Sequence, residues 1–352
     1  MKIKYFFIAM VLALPMVLTS CGDDDDAPNP FKDAVITVAA TNVTECDATL
    51  SGVIDMNLIG ENVSEFGLLY SSSPNFLSEE AYNALSFSAD KLSEDGYFAF
   101  NIPDLSYDTP YYFAAFAKLK DEKVLYGAIR NFRTKNYVDF GLKSGTLWGC
   151  YNIEASMPKD AGGYYAWGEK ESKSNYSWDT YLYGKKDALT KYNFKSNLGI
   201  VDDLKELDVA DDVVYNHPNF GKEWRIPSKE QFEELIDQQY TTFKIQKKDY
   251  SVIVDGEYGV ETKLFLHIEK KNDPKHYIDL VAAGSHQNKN FFYNELKTNG
   301  IYWTRSLYYE KPDNSNADVN AYVFTFGEND NPKLLTFARC YGHVIRPVKM
   351  KK

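Results

Sequence analysis

The stretch LSYDTPYYFAAFA at residues 105–117 decides the fold of the first domain. It reads as a β-strand, and side chains alternate between the two faces of a strand. Tyr111, Phe113 and Ala115 are therefore expected to point inward, which puts Tyr112 and Phe116 on the other face. The rings on that second face either contact a partner or cover the junction with the next domain, and we favour the junction.

Short strand-like segments surround this stretch, with turn residues between them. Period-two alternation at such spacing predicts an all-β sandwich over residues 33–135. The expected strands are Val35 to Ala39, Ala48 to Ile54, Val63 to Tyr70, Tyr97 to Ile102, Tyr111 to Lys118 and Val124 to Phe132.

The pattern Leu105-x-x-x-Thr109-x-Tyr111-x-Phe113 resembles the fibronectin type III signature, in which a tyrosine closes the corner before a late strand. Residues 48–52, 65–71 and 127–132 are similar to the same family, and look most like the copies found in Bacteroidetes surface proteins. The resemblance implies that this domain is a spacer.

Residues 136–352 carry a different kind of sequence. Taken in order, five blocks resemble the Fibrobacter major paralogous domain family, which is akin to formylglycine-generating enzymes and has a C-type-lectin-like fold. The resemblance implies an α+β domain after the sandwich. The blocks are residues 137–148, 163–169, 224–228, 300–306 and 341–348.

The second segment contains local signals for one helix and for several strands. Ser228 and Gln231 have the spacing of a capping box, and Phe232, Leu235 and Ile236 follow on one helical face. Residues 260–268, 321–326 and 344–348 are expected to be strands. The resemblance further implies that the last of these pairs with the first strand of the domain.

Residues 1–20 have the layout of a secretory signal peptide. Lys2 and Lys4 precede an apolar core from Tyr5 to Val17, which is too short to span a bilayer comfortably. The segment Leu18 to Cys21 resembles the lipobox of bacterial lipoproteins, in which the cysteine is acylated and becomes the new amino terminus. Cys21 is therefore the expected lipidation site and membrane anchor. The alternative is an ordinary cleaved signal followed by a chance cysteine.

Residues 21–32 are expected to be a solvated tether. The four carboxylates of Asp23 to Asp26 repel one another, and Pro28 and Pro30 resist regular structure. The acidic run is similar to the surface-export signal of Bacteroidetes lipoproteins, which implies the outer membrane with the protein facing the cell exterior. The alternative is a plain acidic spacer.

The composition narrows the choice of partners. The formal net charge is −11, and no run of Lys or Arg interrupts it, so neither nucleic acid nor anionic lipid headgroups are expected to bind. The 27 Tyr and 22 Phe suit both β-rich cores and recognition surfaces.

Three cysteines remain after Cys21, namely Cys46, Cys150 and Cys340. None has CxxC spacing, so the sequence predicts neither a zinc site nor a redox motif. Lectin-like folds often clamp their ends, and the resemblance therefore makes Cys150 and Cys340 a candidate disulfide. The alternative is two separate buried thiols.

No catalytic constellation is visible, and we expect neither catalysis nor a cofactor. GxSxG, GxGxxG, P-loop and HExxH motifs are missing, and the five histidines are scattered. Formylglycine-generating enzymes use two cysteines in the C-terminal region, where this chain has only Cys340. Residues 311–314 replace a carboxylate of the lectin calcium motif with Lys311. Asp313, Asp318, Glu328 and Asp330 could form a weak calcium site, but a solvated acidic loop is preferred, and no metal is expected.

The remaining candidates for binding are aromatic. Trp178, Trp303, Arg305 and Asn175 are the candidate ligand-binding residues, because rings and planar polar groups suit sugars, and Trp178 has the most loop-like surroundings. We expect a non-catalytic binding or adhesion protein with a glycan or cell-surface protein as ligand. Alternatives are a structural part of a fimbrial or nutrient-uptake assembly and, more weakly, an enzyme of the formylglycine-generating type.

Overall fold

A computed structural model describes residues 33–59, 62–254, 257–291, 298–309 and 318–352. The described chain is mostly β-sheet. Cys21, the signal peptide and the acidic tether lie outside the described residues. No helix within the described ranges has the length and apolar character needed to cross a bilayer.

The first domain contains two facing sheets. One sheet has the order β1-β2-β5, and the other has the order β4-β3-β6-β7, with β8 also pairing with β6. The strands are β1 (Val35–Thr41), β2 (Ala48–Ile54), β3 (Val63–Ser71), β4 (Asn83–Ser88), β5 (Tyr97–Ile102), β6 (Pro110–Leu119), β7 (Val124–Tyr126) and β8 (Arg130–Arg133).

Five of the six expected strands are confirmed at nearly the expected bounds. The sixth is divided at Gly127, whose N–H donates to the carbonyl of Ala115 at 2.9 Å. A Cβ on Gly127 would lie 2.6 Å from Oγ1 of Thr37, so the facing sheet requires a glycine there. Strand β4 was not predicted, and none of its residues is fully buried.

Tyr111 closes the corner that the sequence predicts. Its hydroxyl accepts a hydrogen bond of 2.9 Å from the backbone N–H of Ser106, and its ring stacks on Phe132 at 5.6 Å. Phe113 and Ala115 are fully buried on the same face, as expected. Phe116 lies on the other face, as expected, but the preference for the junction was wrong. It packs with Phe76 of helix α1 (Phe76–Glu79), within the first domain.

The second domain is built from small antiparallel sheets. Their orders are β13-β22-β10-β9, β14-β15-β16 and β19-β20-β21, with two further two-stranded pairs. The strands are β9 (Tyr137–Val138), β10 (Thr146–Gly149), β11 (Gly184–Lys185), β12 (Ala188–Leu189), β13 (Trp224–Arg225), β14 (Thr241–Val254), β15 (Glu257–Lys270), β16 (Asp273–Val281), β17 (His286–Gln287), β18 (Asn290–Phe291), β19 (Asn299–Leu307), β20 (Asn320–Gly327), β21 (Asp330–Ala338) and β22 (Val348–Met350).

One α-helix of this domain is described, α2 (Lys229–Leu235), so the second domain is richer in strand than the expected α+β class. The capping box is confirmed: Oγ of Ser228 accepts from the N–H of Gln231, whose side chain accepts from the N–H of Ser228. Strand β22 pairs with β10, which brings the end of the domain back to its start. We expected this last strand to begin at residue 344, but it begins at Val348.

Two hydrophobic clusters fill the second domain. In one, Phe232 of α2 stacks on Phe324 of β20 at 4.4 Å and packs against Trp148. The other surrounds Trp167 and Trp303, both almost fully buried. The two clusters pack on opposite faces of sheet β19-β20-β21.

The acidic run of residues 202–212 is held within the fold of the second domain. Asp212 is fully buried, and its carboxylate accepts from Nε of Arg225 at 2.6 Å and from the N–H of Ile226. Asp202 accepts from the N–H of Tyr192 at 2.7 Å. These carboxylates hold an irregular segment in place together with backbone bonds such as that from the N–H of Leu207 to the carbonyl of Arg305.

Candidate functional site

Trp178 lies in the wall of a surface groove of about 290 Å³. The groove combines aromatic rings with an amide, a hydroxyl and an ammonium group. Most of the exposed surface in the groove is polar, which suits a ligand that has hydroxyl groups. The lining residues are Trp178, Lys186, Val319, Asn320, Thr336, Phe337, Ala338 and Tyr341.

A tight turn positions the Trp178 side chain. The hydroxyl of Thr180 donates to the carbonyl of Asn175 at 2.7 Å and lies 3.1 Å from the carbonyl of Ser177. The N–H of Thr180 also donates to the carbonyl of Ser177 at 3.1 Å, which closes the turn around Trp178. The indole ring then meets Tyr181 edge-on, with 5.4 Å between ring centroids. Trp178 is partly buried and keeps part of its surface in the groove.

A buried arginine supports the groove from below. Arg339 follows the lining residue Ala338, and Nη1 of Arg339 donates to the carbonyl of Tyr192 at 3.0 Å. Its guanidinium group lies 5.5 Å from the ring centroid of Tyr181 and 5.6 Å from that of Trp167. Tyr181 also contacts Trp178. Arg339 therefore stabilises, through its cation–π contact with Tyr181, the ring against which Trp178 packs.

Asn320 and Thr336 form the polar part of the groove. Asn320 on β20 pairs with Ala338 on β21, two positions from Thr336. Nδ2 of Asn320 donates to Oγ1 of Thr336 at 3.4 Å. A bond of that length is weak, so both groups are available to a ligand. Lys186 is exposed at the turn between β11 and β12.

The prediction for Trp303 is wrong, and Arg305 does not line the groove. Trp303 is fully buried, and its Nε1 donates to the carbonyl of Tyr165 at 2.8 Å. Nε of Arg305 donates to Glu206 at 2.9 Å and Nη1 donates to the side chain of Gln231 at 2.8 Å, so these two nitrogens hold the side chain against the fold. Both residues belong to β19, the edge strand opposite β21 in its sheet, whereas residues of β20 and β21 line the groove.

Asn175 lies in the turn that precedes Trp178. It is partly buried, and its Oδ1 is buried with no hydrogen-bond partner among the described residues. Its backbone carbonyl, not its side chain, has a described role in holding Trp178. Asn175 does not line the groove.

The candidate disulfide between Cys150 and Cys340 is not formed. Both are free, buried thiols, and they belong to the two different clusters of the second domain. Burial raises the pKa of Cys340 to about 12, so this thiol stays protonated at neutral pH. The two thiols therefore share no site.

Among the described residues, the acids considered for calcium do not converge. Glu328 pairs with Lys247 at 2.6 Å, and Asp330 pairs with Lys333 at 3.1 Å. Asp318 is buried apart from them, and burial raises the pKa of its carboxyl group. Asp313 and the rest of residues 311–314 lie outside the described residues.

Two histidines lie close to each other behind the groove. His343 is fully buried between Trp303 and Phe337, and neither of its ring nitrogens has a hydrogen-bond partner within the described ranges. Burial lowers the pKa of His343 to about 3, with a smaller contribution from His286, and burial lowers the pKa of His286 to about 4. Both rings are therefore neutral packing elements at neutral pH.

A second cavity, of about 580 Å³, lies where the two domains meet, and it was not predicted. Tyr107 of the first domain and Tyr151 and Tyr277 of the second form its aromatic part. The hydroxyl of Tyr151 donates to the carbonyl of Tyr107 at 2.9 Å. Cys46 also lines this cavity, next to Glu45 and His276. Because 231 positions separate Glu45 from His276, no local motif could have indicated the cluster.

Neither a family model nor a curated protein matches the chain. Among solved structures, the sensor domain of the anti-sigma factor RsgI4 of Pseudobacteroides cellulosolvens is 19% identical with a TM-score of 0.23, over 29% of this chain and 92% of that one. The fn3 domain of human contactin 1 is 14% identical with a TM-score of 0.24, over 35% and 92%. The domain of human fibronectin type III domain containing protein 3 is 17% identical with a TM-score of 0.22, over 36% and 100%.

The likeness to these single domains concerns the fold alone. Within residues 33–135, the strand orders and the corner tyrosine described above give a fibronectin type III-like sandwich.

Proposed function

We propose that this chain is a bacterial lipoprotein, anchored to the outer membrane through Cys21 and facing the cell exterior, which binds glycans without catalysis. In this proposal the fibronectin type III-like domain is a spacer. The second domain, which we infer to be a C-type-lectin-like member of the Fibrobacter major paralogous group, presents the ligand site. The signal-like residues 1–20, the lipobox-like sequence before Cys21 and the acidic run after it support the location.

The observation that carries the binding proposal is the position of Trp178 in the groove. Pyranose rings have apolar C–H faces that pack on an indole, and their hydroxyl groups need nearby donors and acceptors. Trp178 and Tyr341 supply rings, while Asn320, Thr336 and Lys186 supply polar groups in the same groove. The turn at residues 177–180 holds the indole in place before a ligand arrives, which lowers the entropic cost of binding.

A glycan array probed with the purified full-length chain tests this proposal. The variant Trp178→Ala removes the stacking ring, and Tyr258→Ala is the matched control, because Tyr258 is 88% exposed on the distant hairpin of β14 and β15. We expect array signals that the first variant loses and the control keeps. Equal signals for both variants, or no signal for the wild-type chain, would contradict the proposal.

A second candidate function is a structural role in a surface assembly, such as a fimbria or a nutrient-uptake complex. The hairpin of β14 and β15 favours it: β16 pairs with β15 only from Phe265 onward, so the outer part of the hairpin extends beyond the sheet. Tyr258 and Val260 are 88% and 70% exposed there. Exposed apolar side chains on such a projection are typical of protein contacts.

The two candidates make different predictions for the same variants. A double variant, Tyr258→Ser with Val260→Ser, should abolish co-purification with a stable surface partner if the assembly role holds. It should leave glycan binding unchanged. Trp178→Ala should abolish glycan binding and leave co-purification unchanged.

A further inference from the structure

Glu45, Cys46 and His276 place three different metal-binding groups together at the junction of the two domains. Nδ1 of His276 lies 2.6 Å from Oε1 of Glu45, and Sγ of Cys46 lies 4.0 Å from the same oxygen. All three ligand atoms lie within 4.8 Å of one another. We propose that these residues form a binding site for a zinc-like divalent transition metal ion that clips the first domain to the second.

The ligand set selects the class of metal. A thiolate and an imidazole favour borderline ions such as Zn²⁺ over Ca²⁺ or Mg²⁺, which prefer oxygen ligands alone. Ligand atoms around a tetrahedral zinc ion lie about 3.5 Å apart. The side chains therefore need to move by about 1 Å or less from their present positions to enclose such an ion.

The surroundings of His276 resemble those of a metal-bound histidine. Its second nitrogen, Nε2, lies 3.3 Å from Oδ2 of Asp273. A carboxylate behind the ring orients the imidazole and makes the facing nitrogen a better ligand, and this arrangement accompanies most metal-binding histidines. Because Asp273 holds Nε2, Nδ1 is the nitrogen that faces Glu45 and Cys46.

Charge and access fit the same conclusion. Glu45 is 3% exposed and Cys46 is 9% exposed, so a bound dication would be compensated within the junction by one carboxylate and one thiolate. Cys46 also lines the junction cavity of about 580 Å³, which offers an entry path and room for a water molecule as fourth ligand.

The backbone around Cys46 is already held in place. Oγ1 of Thr44 donates to Oδ1 of Asp47 at 2.8 Å and accepts from the N–H of Cys46 at 3.2 Å. Lys275, next to His276, pairs with Oδ2 of Asp47 at 2.6 Å across the junction. The two halves of the site are therefore kept together by contacts that do not use the ligand atoms, as a preorganised site requires.

Zinc titration of the metal-free full-length chain under a non-thiol reductant tests the proposal. We expect one Zn²⁺ per chain, measured by competition with a chromogenic chelator, together with a rise in Tm. Cys46→Ala and His276→Gln should each abolish the tight binding and the rise in Tm. Asp273→Asn should weaken the affinity by about 10- to 100-fold, because that carboxylate orients a ligand. His217→Gln is the control and should bind like the wild-type chain.

Cobalt substitution of the wild-type chain tests the thiolate without any variant that could fail to fold. Co²⁺ should give a thiolate-to-metal charge-transfer absorption together with the intense visible bands of tetrahedral coordination. Absence of zinc binding would overturn the proposal and leave Glu45 and His276 as a hydrogen-bonded pair. Zinc binding that survives Cys46→Ala, or a cobalt spectrum without the thiolate band, would overturn it as well.

Discussion

Trp167 and Trp303 hold each other's segments through reciprocal hydrogen bonds. Nε1 of Trp303 donates to the carbonyl of Tyr165 at 2.8 Å, and Nε1 of Trp167 donates to the carbonyl of Thr304 at 2.8 Å. Both indoles are almost fully buried, so each bond satisfies a donor that would otherwise be costly to bury. The relationship makes Trp303 part of the core that supports the groove, whereas Trp178 faces the groove itself.

The two tryptophans should therefore respond differently to truncation. Trp303→Ala leaves a large cavity and should lower the free energy of unfolding by about 3–5 kcal/mol. Trp178→Ala loses one edge-on ring contact and should cost about 1 kcal/mol. Chemical denaturation followed by circular dichroism measures both. Similar losses for the two variants would show that Trp178 is also a core residue.

The corner tyrosine gives a prediction for the first domain. Tyr111→Phe removes the hydroxyl that accepts from the N–H of Ser106 and should lower the free energy of unfolding by about 1 kcal/mol. Tyr112→Phe is the matched control, because Tyr112 is partly exposed on the opposite face. Denaturant titration should leave the control within about 0.5 kcal/mol of the wild-type chain. An equal effect of the two changes would mean that the corner contact does not stabilise the sandwich.

Local sequence signals predicted the elements whose cause is local. Alternation predicted five strands of the first domain, and the capping box of Ser228 and Gln231 predicted the start of α2. The corner at Tyr111 was predicted from the resemblance of residues 105–113 to the fibronectin type III signature. These features depend on residues a few positions apart. Short stretches of sequence are therefore enough to predict them.

Features with a long-range cause could not be predicted in the same way. The loop-like surroundings of Trp178 are visible in the sequence, but the full burial of Trp303 depends on which strands pack against it. The choice between a disulfide and two separate thiols for Cys150 and Cys340 depends on the same packing. The cluster at Glu45 and His276 forms only when two domains meet.

Acid should destabilise the protein through His343. Because burial lowers its folded-state pKa to about 3, the unfolded chain takes up the proton first when the pH falls below the ordinary value of 6.5. The stability is thus fully present at neutral pH and decreases as the pH falls from 6.5 toward 3. At pH 5 this single group should cost about 2 kcal/mol.

The variant His343→Phe separates this effect from other titrations. It keeps an aromatic ring between Trp303 and Phe337 but removes the titrating group. The free energy of unfolding, measured from pH 7 to pH 5, should decrease less in the variant than in the wild-type chain. Parallel curves for the two proteins would show that His343 does not carry the acid sensitivity.

The central claim is that the groove beside Trp178 binds a glycan. Calorimetric titration of the strongest array ligand into the wild-type chain, Trp178→Ala, Trp178→Phe and Tyr258→Ala tests it most directly. We predict that Trp178→Ala binds at least about tenfold more weakly, a loss of about 1.4 kcal/mol. Trp178→Phe should be intermediate and Tyr258→Ala unchanged. A Kd for Trp178→Ala equal to that of the wild-type chain would contradict the account.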